Sequence, residues 1–188
     1  MEKQDLKEQV LAKKNKSGKI SFAALLFALS IVLSYLESLL PPLGPFPIRY
    51  GLANTPLMLA LMSTGLPLAL LLTILKALFA LLTRGSIAAL LSISGGLLSV
   101  TLMYLGNRFS RGEISYFLLS ALGAVSHTSG QIIILIILWG SESKLFYLGI
   151  LPYLLLISLA SGFITALLTY LIAQNLPQKR PAEKSAGL

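Results

Sequence analysis

The sequence is poor in the residues on which most metalloproteins and hydrolytic enzymes depend. Its 188 residues include no cysteine, one histidine and seven acidic residues, of which only Asp5 is an aspartate. Without cysteine the chain can form neither a disulfide nor a thiolate metal site, and a lone histidine does not make a metal centre. A single aspartate also excludes an aspartate-rich magnesium–diphosphate site. We therefore expect no metal, no cofactor and no catalysis by this chain.

Charge is scarce as well. Charged residues make up 12% of the chain, against about 25% in soluble domains, while 55% of the residues are hydrophobic and the mean hydropathy is +0.82. Too little polar surface remains to cover a globule in water, so the class is integral membrane protein. The long Leu/Ile runs repeat along the chain, which favours several helices over β-barrel strands, a single anchor or a removable signal peptide. No G-x-x-x-x-G-K-[ST] pattern is present, which excludes ATP binding by a P-loop.

The hydropathy pattern predicts an all-α protein with six transmembrane helices. A span needs about 20 apolar residues, and the predicted helices are residues 20–40, 52–64, 66–82, 87–105, 114–139 and 146–173. Together they form a membrane domain over 20–173, between basic cytoplasmic tails at 1–19 and 174–188. For the first tail we expect no fixed structure, with an amphipathic interfacial helix as the alternative.

The apolar segment 52–82 can form one span or two, and the basic residues decide between them. Cytoplasmic loops are enriched in Lys and Arg. With two spans, the side that holds both termini carries Lys3, Lys7, Lys13, Lys14, Lys16, Lys19, Arg108, Arg111, Lys179, Arg180 and Lys184. The other side carries only Arg49, Arg84 and Lys144. We therefore predict six helices with both termini in the cytoplasm, and we attribute the +8 net charge to topology rather than to nucleic-acid binding.

A lysine inside a leucine-rich span, "LLTILKALFALLTRG", is the most unusual feature of the chain. A charge at the centre of a membrane helix costs from about 2.5 to more than 10 kcal/mol. The predicted topology places Lys76 in the outer half of the bilayer, where six other polar residues also fall. These are Glu37, Arg49, Asn54, Arg84, His127 and Gln131.

One site built from these residues would carry excess positive charge. It would contain one acid, Glu37, and three fixed cations, Arg49, Lys76 and Arg84. Helix 2 also begins on this side, and the amides at a helix N-terminus favour anions. We therefore predict a wet cavity, open to the outside, that binds a small anionic solute.

Each of these residues also has a purely structural interpretation. Lys76 could extend along its stem to the membrane surface, and Arg84 could be an interfacial anchor. His127 and Gln131, four apart on one helix face, could simply join helices by hydrogen bonds. Asn54 could cap helix 2.

Three stretches carry a resemblance to a known family: "SYLESLLPPLGPFPIRYGLANTPLMLAL", "SISGGLLSVTLMYL" and "GAVSHTSGQIIIL". They resemble the Gx transporter family, also called heptaprenyl diphosphate synthase component I, over about residues 20–173. The family usually has a glycine and a basic residue before Gly-Leu-Ala-Asn. Here Ile48, Arg49 and Tyr50 stand there, so the glycine is absent. Lys76 matches a basic position that family members often carry in helix 3.

This family is similar to the substrate-binding S components of energy-coupling factor (ECF) transporters. The resemblance implies an S-component-like bundle in a bacterial cell membrane that captures a solute under a lid formed by the helix 1–2 loop. Ala24 and Ala28, a small-xxx-small pair, match the positions at which S components dock a coupling subunit. The implied partners are that subunit, two ATPases and membrane lipid. Two alternatives stay open: a non-catalytic subunit of a polyprenyl diphosphate synthase, and a scaffold without a ligand.

Overall fold

A computed structural model describes residues 2–41, 51–140 and 142–175, without the side chains of 2–16, 142–148, 150 and 175. Every regular element within these ranges is helical, which confirms the predicted all-α class with six helices. The elements are α1 (Glu2–Leu39), a 3₁₀ turn (Leu52–Asn54), α2 (Thr55–Ser63), α3 (Leu66–Arg84), α4 (Ser86–Phe109), α5 (Tyr116–Trp139) and α6 (Glu142–Asn175).

Five helical segments of the described chain are long and apolar enough to cross a membrane. They are Ser17–Leu39, Leu66–Arg84, Ser86–Phe109, Tyr116–Trp139 and Leu151–Gln174. The apolar segment Leu52–Ser63 is shorter, and the side chains of α2 from Thr55 to Leu61 are buried. Because α2 is enclosed by protein rather than lipid, a short helix is tolerated at membrane depth.

The division of segment 52–82 into two helices is as predicted, and a tight turn separates them. Gly65 has a φ of 98°, a value that glycine adopts without steric cost. Pro67 follows within the first turn of α3, where its missing N–H would have had no partner in the helix. The residues of the turn therefore end one helix and start the next.

The helix ends differ from the predicted ones by four residues or more at three places, one of which is the end of α4, at Phe109 rather than at residue 105. α1 begins at Glu2, so the expectation of no fixed structure was wrong for residues 2–19. α6 begins at Glu142 rather than at residue 146, because Gly140 with a φ of 80° ends α5 and the helix resumes within two residues. Ser115 caps α5, since its hydroxyl accepts a hydrogen bond from the amide of Leu118 at 3.2 Å.

Small residues bring the central helices into close contact. A Cβ on Gly130 of α5 would lie 2.8 Å from the carbonyl oxygen of Ser94 in α4. A Cβ on Gly96 of α4 would lie 2.6 Å from Cγ2 of Thr73 in α3. The Ser120 hydroxyl of α5 donates to the Gly162 carbonyl of α6 at 2.7 Å. These contacts fix α3, α4, α5 and α6 against one another and give the polar side chains between them defined positions.

Candidate functional site: a charged cavity between four helices

A cavity of about 170 Å³ lies between α1, α3, α4 and α5. Five of the residues predicted to form one site line it, although they come from three helices and span almost a hundred positions of sequence. The complete lining is Ser34, Glu37, Lys76, Arg84, Ala88, Leu91, Ser92, His127 and Gln131.

Lys76 points into the protein rather than toward lipid. Its side chain is 5% exposed, and its ammonium nitrogen donates a hydrogen bond to Oδ1 of Asn54 at 2.9 Å. Asn54 is itself 5% exposed and stands at the start of α2. Its amide oxygen is therefore the acceptor for the lysine, and no side-chain hydrogen bond caps α2.

Glu37 lies at the N-terminal end of α2, where the sequence analysis had placed the bound anion. Its Oε1 accepts a hydrogen bond at 3.2 Å from the amide of Ala53, in the turn that leads into α2. A carboxylate near a helix N-terminus is favoured by the orphan amides there and by the helix dipole. The anion at this position is thus supplied by α1, and Glu37 joins α1 to the start of α2.

Arg84 contacts α1 from the last turn of α3. Nη2 of the partly buried guanidinium donates to the hydroxyl of Ser34 at 3.1 Å, and both residues line the cavity. A role as an anchor at the membrane surface therefore does not fully describe Arg84, because its guanidinium contacts α1 inside the protein.

His127 and Gln131 form a hydrogen-bonded pair on α5. The Gln131 amide nitrogen lies 2.7 Å from Nε2 of His127, and the two side chains form a hydrogen bond within the helix. A Cβ on Gly95 would lie 2.7 Å from Nδ1 of His127, so the ring fits only because α4 has a glycine there.

Three further predicted residues are not among the lining residues of the cavity. Arg49 is outside the described residues. Ala24 and Ala28 are exposed on α1, and neither lines the cavity. Within the described ranges, His, Asp and Glu do not gather in groups of three that could hold a metal ion.

Sequence reasoning did not assign Ser34 or Ser92 to the site. Ser34 lies one helical turn before Glu37 and so shares its face, which is a signal that the sequence already contained. Ser92 lies among small residues of α4, a pattern typical of close helix packing, which hides its place in the lining. Its hydroxyl is buried and, among the described residues, has no hydrogen-bond partner. Ala88 and Leu91 complete the lining as apolar neighbours of Ser92 on α4.

The fold and the cavity define a multi-pass α-helical membrane protein with a polar internal pocket. The family model for heptaprenyl diphosphate synthase component I matches residues 26–172, and the chain belongs to this family, also called the Gx transporter family. Comparison with curated proteins and comparison with solved structures gave no match. The resemblance read from the sequence is therefore confirmed at the level of the family.

Proposed function

We propose that the chain is the substrate-binding membrane subunit of an ECF-type importer, and that it captures a small anionic solute from the extracellular side of a bacterial cell membrane. The observation that carries the proposal is the position of Lys76. A buried ammonium group, bonded to Asn54, lines a cavity large enough for a small solute.

Charge favours an anionic guest. Lys76 and Arg84 line the cavity with Glu37 as the one carboxylate among the described lining residues, so cations are in excess. Burying a charge without a counter-charge is costly, and opposite charges interact more strongly in a low-dielectric site than in water. A bound anion would interact favourably with the net positive charge of these lining residues.

The orientation of the cavity supports capture from outside. Glu37 and Arg84 lie near the C-terminal ends of α1 and α3, and Ser92 lies in the first turns of α4. These helix ends are opposite the basic N-terminal segment and the loop that carries Arg108 and Arg111. Since basic residues favour the cytoplasmic side, the cavity belongs to the outer half of the membrane.

The energy for import would come from partner proteins. The sequence has no P-loop, so ATP hydrolysis would fall to two ATPases joined through a membrane coupling subunit. Ala24 and Ala28 are exposed on one face of α1 and leave room for a second helix to approach. This face is where we expect the coupling subunit to dock.

A second candidate is a non-catalytic membrane component of a heptaprenyl diphosphate synthase, which the family's description favours. A diphosphate would also suit Lys76 and Arg84. With one aspartate in the chain, the prenyl transfer would then have to occur on a partner.

Native mass spectrometry of the purified chain in detergent distinguishes the two candidates. For the importer subunit we expect one small anion bound per chain, lost in Lys76→Met and retained in Lys19→Met, whose lysine is exposed. Reconstitution with the coupling subunit and ATPases should then give ATP-dependent uptake of that solute. A requirement for the chain in prenyl elongation, with no uptake, would favour the synthase component instead.

A further inference from the structure

Asn54 contacts Lys76 from outside the cavity lining. Its Oδ1 accepts a hydrogen bond from the Lys76 ammonium at 2.9 Å, yet only Lys76 of the two lines the cavity of about 170 Å³. The other polar atom of the amide, Nδ2, is buried and has no partner among the described residues. The sequence analysis placed Asn54 among the solute-binding residues, but its amide contacts the lysine and does not border the space that a solute would fill.

The backbone that carries Asn54 is fixed at two points. Gly51 has a φ of 92°, and its carbonyl accepts a hydrogen bond from the amide of Asn54 at 2.9 Å. The amide of Ala53 donates to Oε1 of Glu37 at 3.2 Å. The turn at 51–54 is therefore closed on itself and joined to α1, so the position of the Asn54 side chain is defined from both sides.

Packing restricts the side chain of Asn54 as well. A Cβ on Gly51 would lie 3.2 Å from Nδ2 of Asn54 and 3.5 Å from Cδ2 of His127. The amide and the imidazole ring therefore flank the space that a larger residue at position 51 would take. The Asn54 side chain has little room to rotate, and it offers Lys76 an acceptor at a fixed position.

A fixed acceptor matters because a lysine side chain is flexible. Four methylene groups connect the ammonium to the backbone and allow it to move toward the membrane surface. A hydrogen bond to Asn54 favours the orientation that keeps the ammonium at the cavity, and an ammonium has two further protons for other contacts. Orienting a binding group in advance strengthens binding, because less flexibility is lost when the solute binds.

We infer that Asn54 is a positioning residue for Lys76 and does not itself contact the solute. Its effect on binding is exerted through the ammonium group. The turn that carries it is also joined to Glu37, a second residue of the cavity lining. This inference rests on the proposed capture of an anionic solute, and it separates the residue that contacts the solute from the residue that orients it.

A double-mutant cycle distinguishes positioning from contact. The molecule that copurifies with the chain is identified by mass spectrometry, removed by dialysis and titrated into the unmodified chain, Asn54→Ala, Lys76→Met and the double variant. We expect Asn54→Ala to raise the dissociation constant about three- to tenfold, within the range of one hydrogen bond. It should raise the constant no further when position 76 is already methionine. Asn107→Ala, at a half-buried position of α4, is the control and should bind as the unmodified chain does.

Asn54→Asp tests whether the role is merely structural. Aspartate keeps an oxygen that can accept from the ammonium, so the stability lost in Asn54→Ala should return. Its negative charge competes with an anionic solute for Lys76, so binding should stay at least about tenfold weaker than in the unmodified chain. Recovery of both stability and binding in Asn54→Asp would show that Asn54 only supports the fold, and the inference would be wrong.

The outcomes of the cycle separate this inference from the proposed function. Equal weakening by Asn54→Ala with lysine and with methionine at position 76 would show that Asn54 contacts the solute, which overturns the inference and leaves solute capture intact. The absence of any weakening would overturn it in the same way. If nothing copurifies with the unmodified chain, and the dialysed chain takes nothing from a cell metabolite extract, the proposed function fails and the inference fails with it.

Discussion

The ammonium nitrogen of Lys76 lies 2.9 Å from Oδ1 of Asn54, and both residues are 5% exposed. They are 22 positions apart in sequence and belong to different helices. This contact accounts in part for a lysine within an apolar helix. The amide oxygen of Asn54 accepts a hydrogen bond from the ammonium group, and the lysine side chain borders a polar cavity. The cost of a charge at this depth is reduced by such local partners.

Lys76→Met should weaken solute binding by about 1–3 kcal/mol, the range for a hydrogen bond to a charged group. Methionine keeps the length of the side chain but removes the charge. The measurement is isothermal titration of the purified chain with the solute found by mass spectrometry. Lys19→Met, at an exposed position of α1, is the control. Unchanged affinity in Lys76→Met would show that the lysine does not contact the solute.

Glu37→Ala should lower the free energy of unfolding more than Glu37→Gln does, by about 0.5–1.5 kcal/mol. Glutamine keeps an oxygen that can accept from the amide of Ala53, whereas alanine leaves that amide without the side-chain acceptor. Reversible unfolding in mixed detergent measures the difference. Glu113→Ala, in the exposed α4–α5 loop, should have little effect. Equal stability of the two Glu37 variants would contradict the proposed link between α1 and α2.

Gly95→Ala should destabilise the protein by about 1–3 kcal/mol, as overpacking does. The new Cβ would lie 2.7 Å from Nδ1 and 2.8 Å from the carbonyl oxygen of His127. Gly149→Ala is the matched control, since its Cβ would meet no atom within 4 Å. It should be neutral or stabilising by up to about 1 kcal/mol, because alanine favours the helix. Thermal unfolding of both variants in the same detergent checks the prediction.

Ala24→Trp should prevent copurification of the coupling subunit and ATPases while leaving solute binding unchanged. A large ring on this exposed face keeps a second helix from approaching closely. Ala160→Trp, at an exposed position of α6, should leave copurification intact. Loss of the partners in both variants, or in neither, would argue against a docking face at Ala24 and Ala28.

The helices could be predicted from the sequence because hydrophobic length and turn residues are local signals. Gly65 and Pro67 mark the break between α2 and α3, and both were visible in the sequence. The start of α6 was missed because "GSESK" reads as a polar turn, although a single glycine, Gly140, is enough to end α5.

The site could be predicted only in part. Topology placed Glu37, Lys76, Arg84, His127 and Gln131 at one depth, and the structure brings them to one cavity. The depth of a residue in the membrane does not determine which side chains it contacts, however. Those contacts depend on how each helix is rotated about its own axis. The contact between Lys76 and Asn54 depends on which helix faces pack together. The same is true of the space that Gly95 leaves for the ring of His127. Whether these residues bind a solute stays a prediction, and Arg49 lies outside the described residues.

The central claim is that these helices enclose a cation-lined chamber reached from outside, and the absence of native cysteine allows a direct measurement. Ser92→Cys introduces one thiol in the cavity lining, and Ser99→Cys introduces one on the same helix outside it. Intact cells are treated with a membrane-impermeant sulfonated thiol reagent, and labelling is read by mass. We expect the thiol introduced at position 92 to react with the reagent from outside, and we expect bound solute to protect it. The thiol introduced at position 99 should not react. No reaction at position 92, or reaction only after the cells are permeabilised, would contradict the claim.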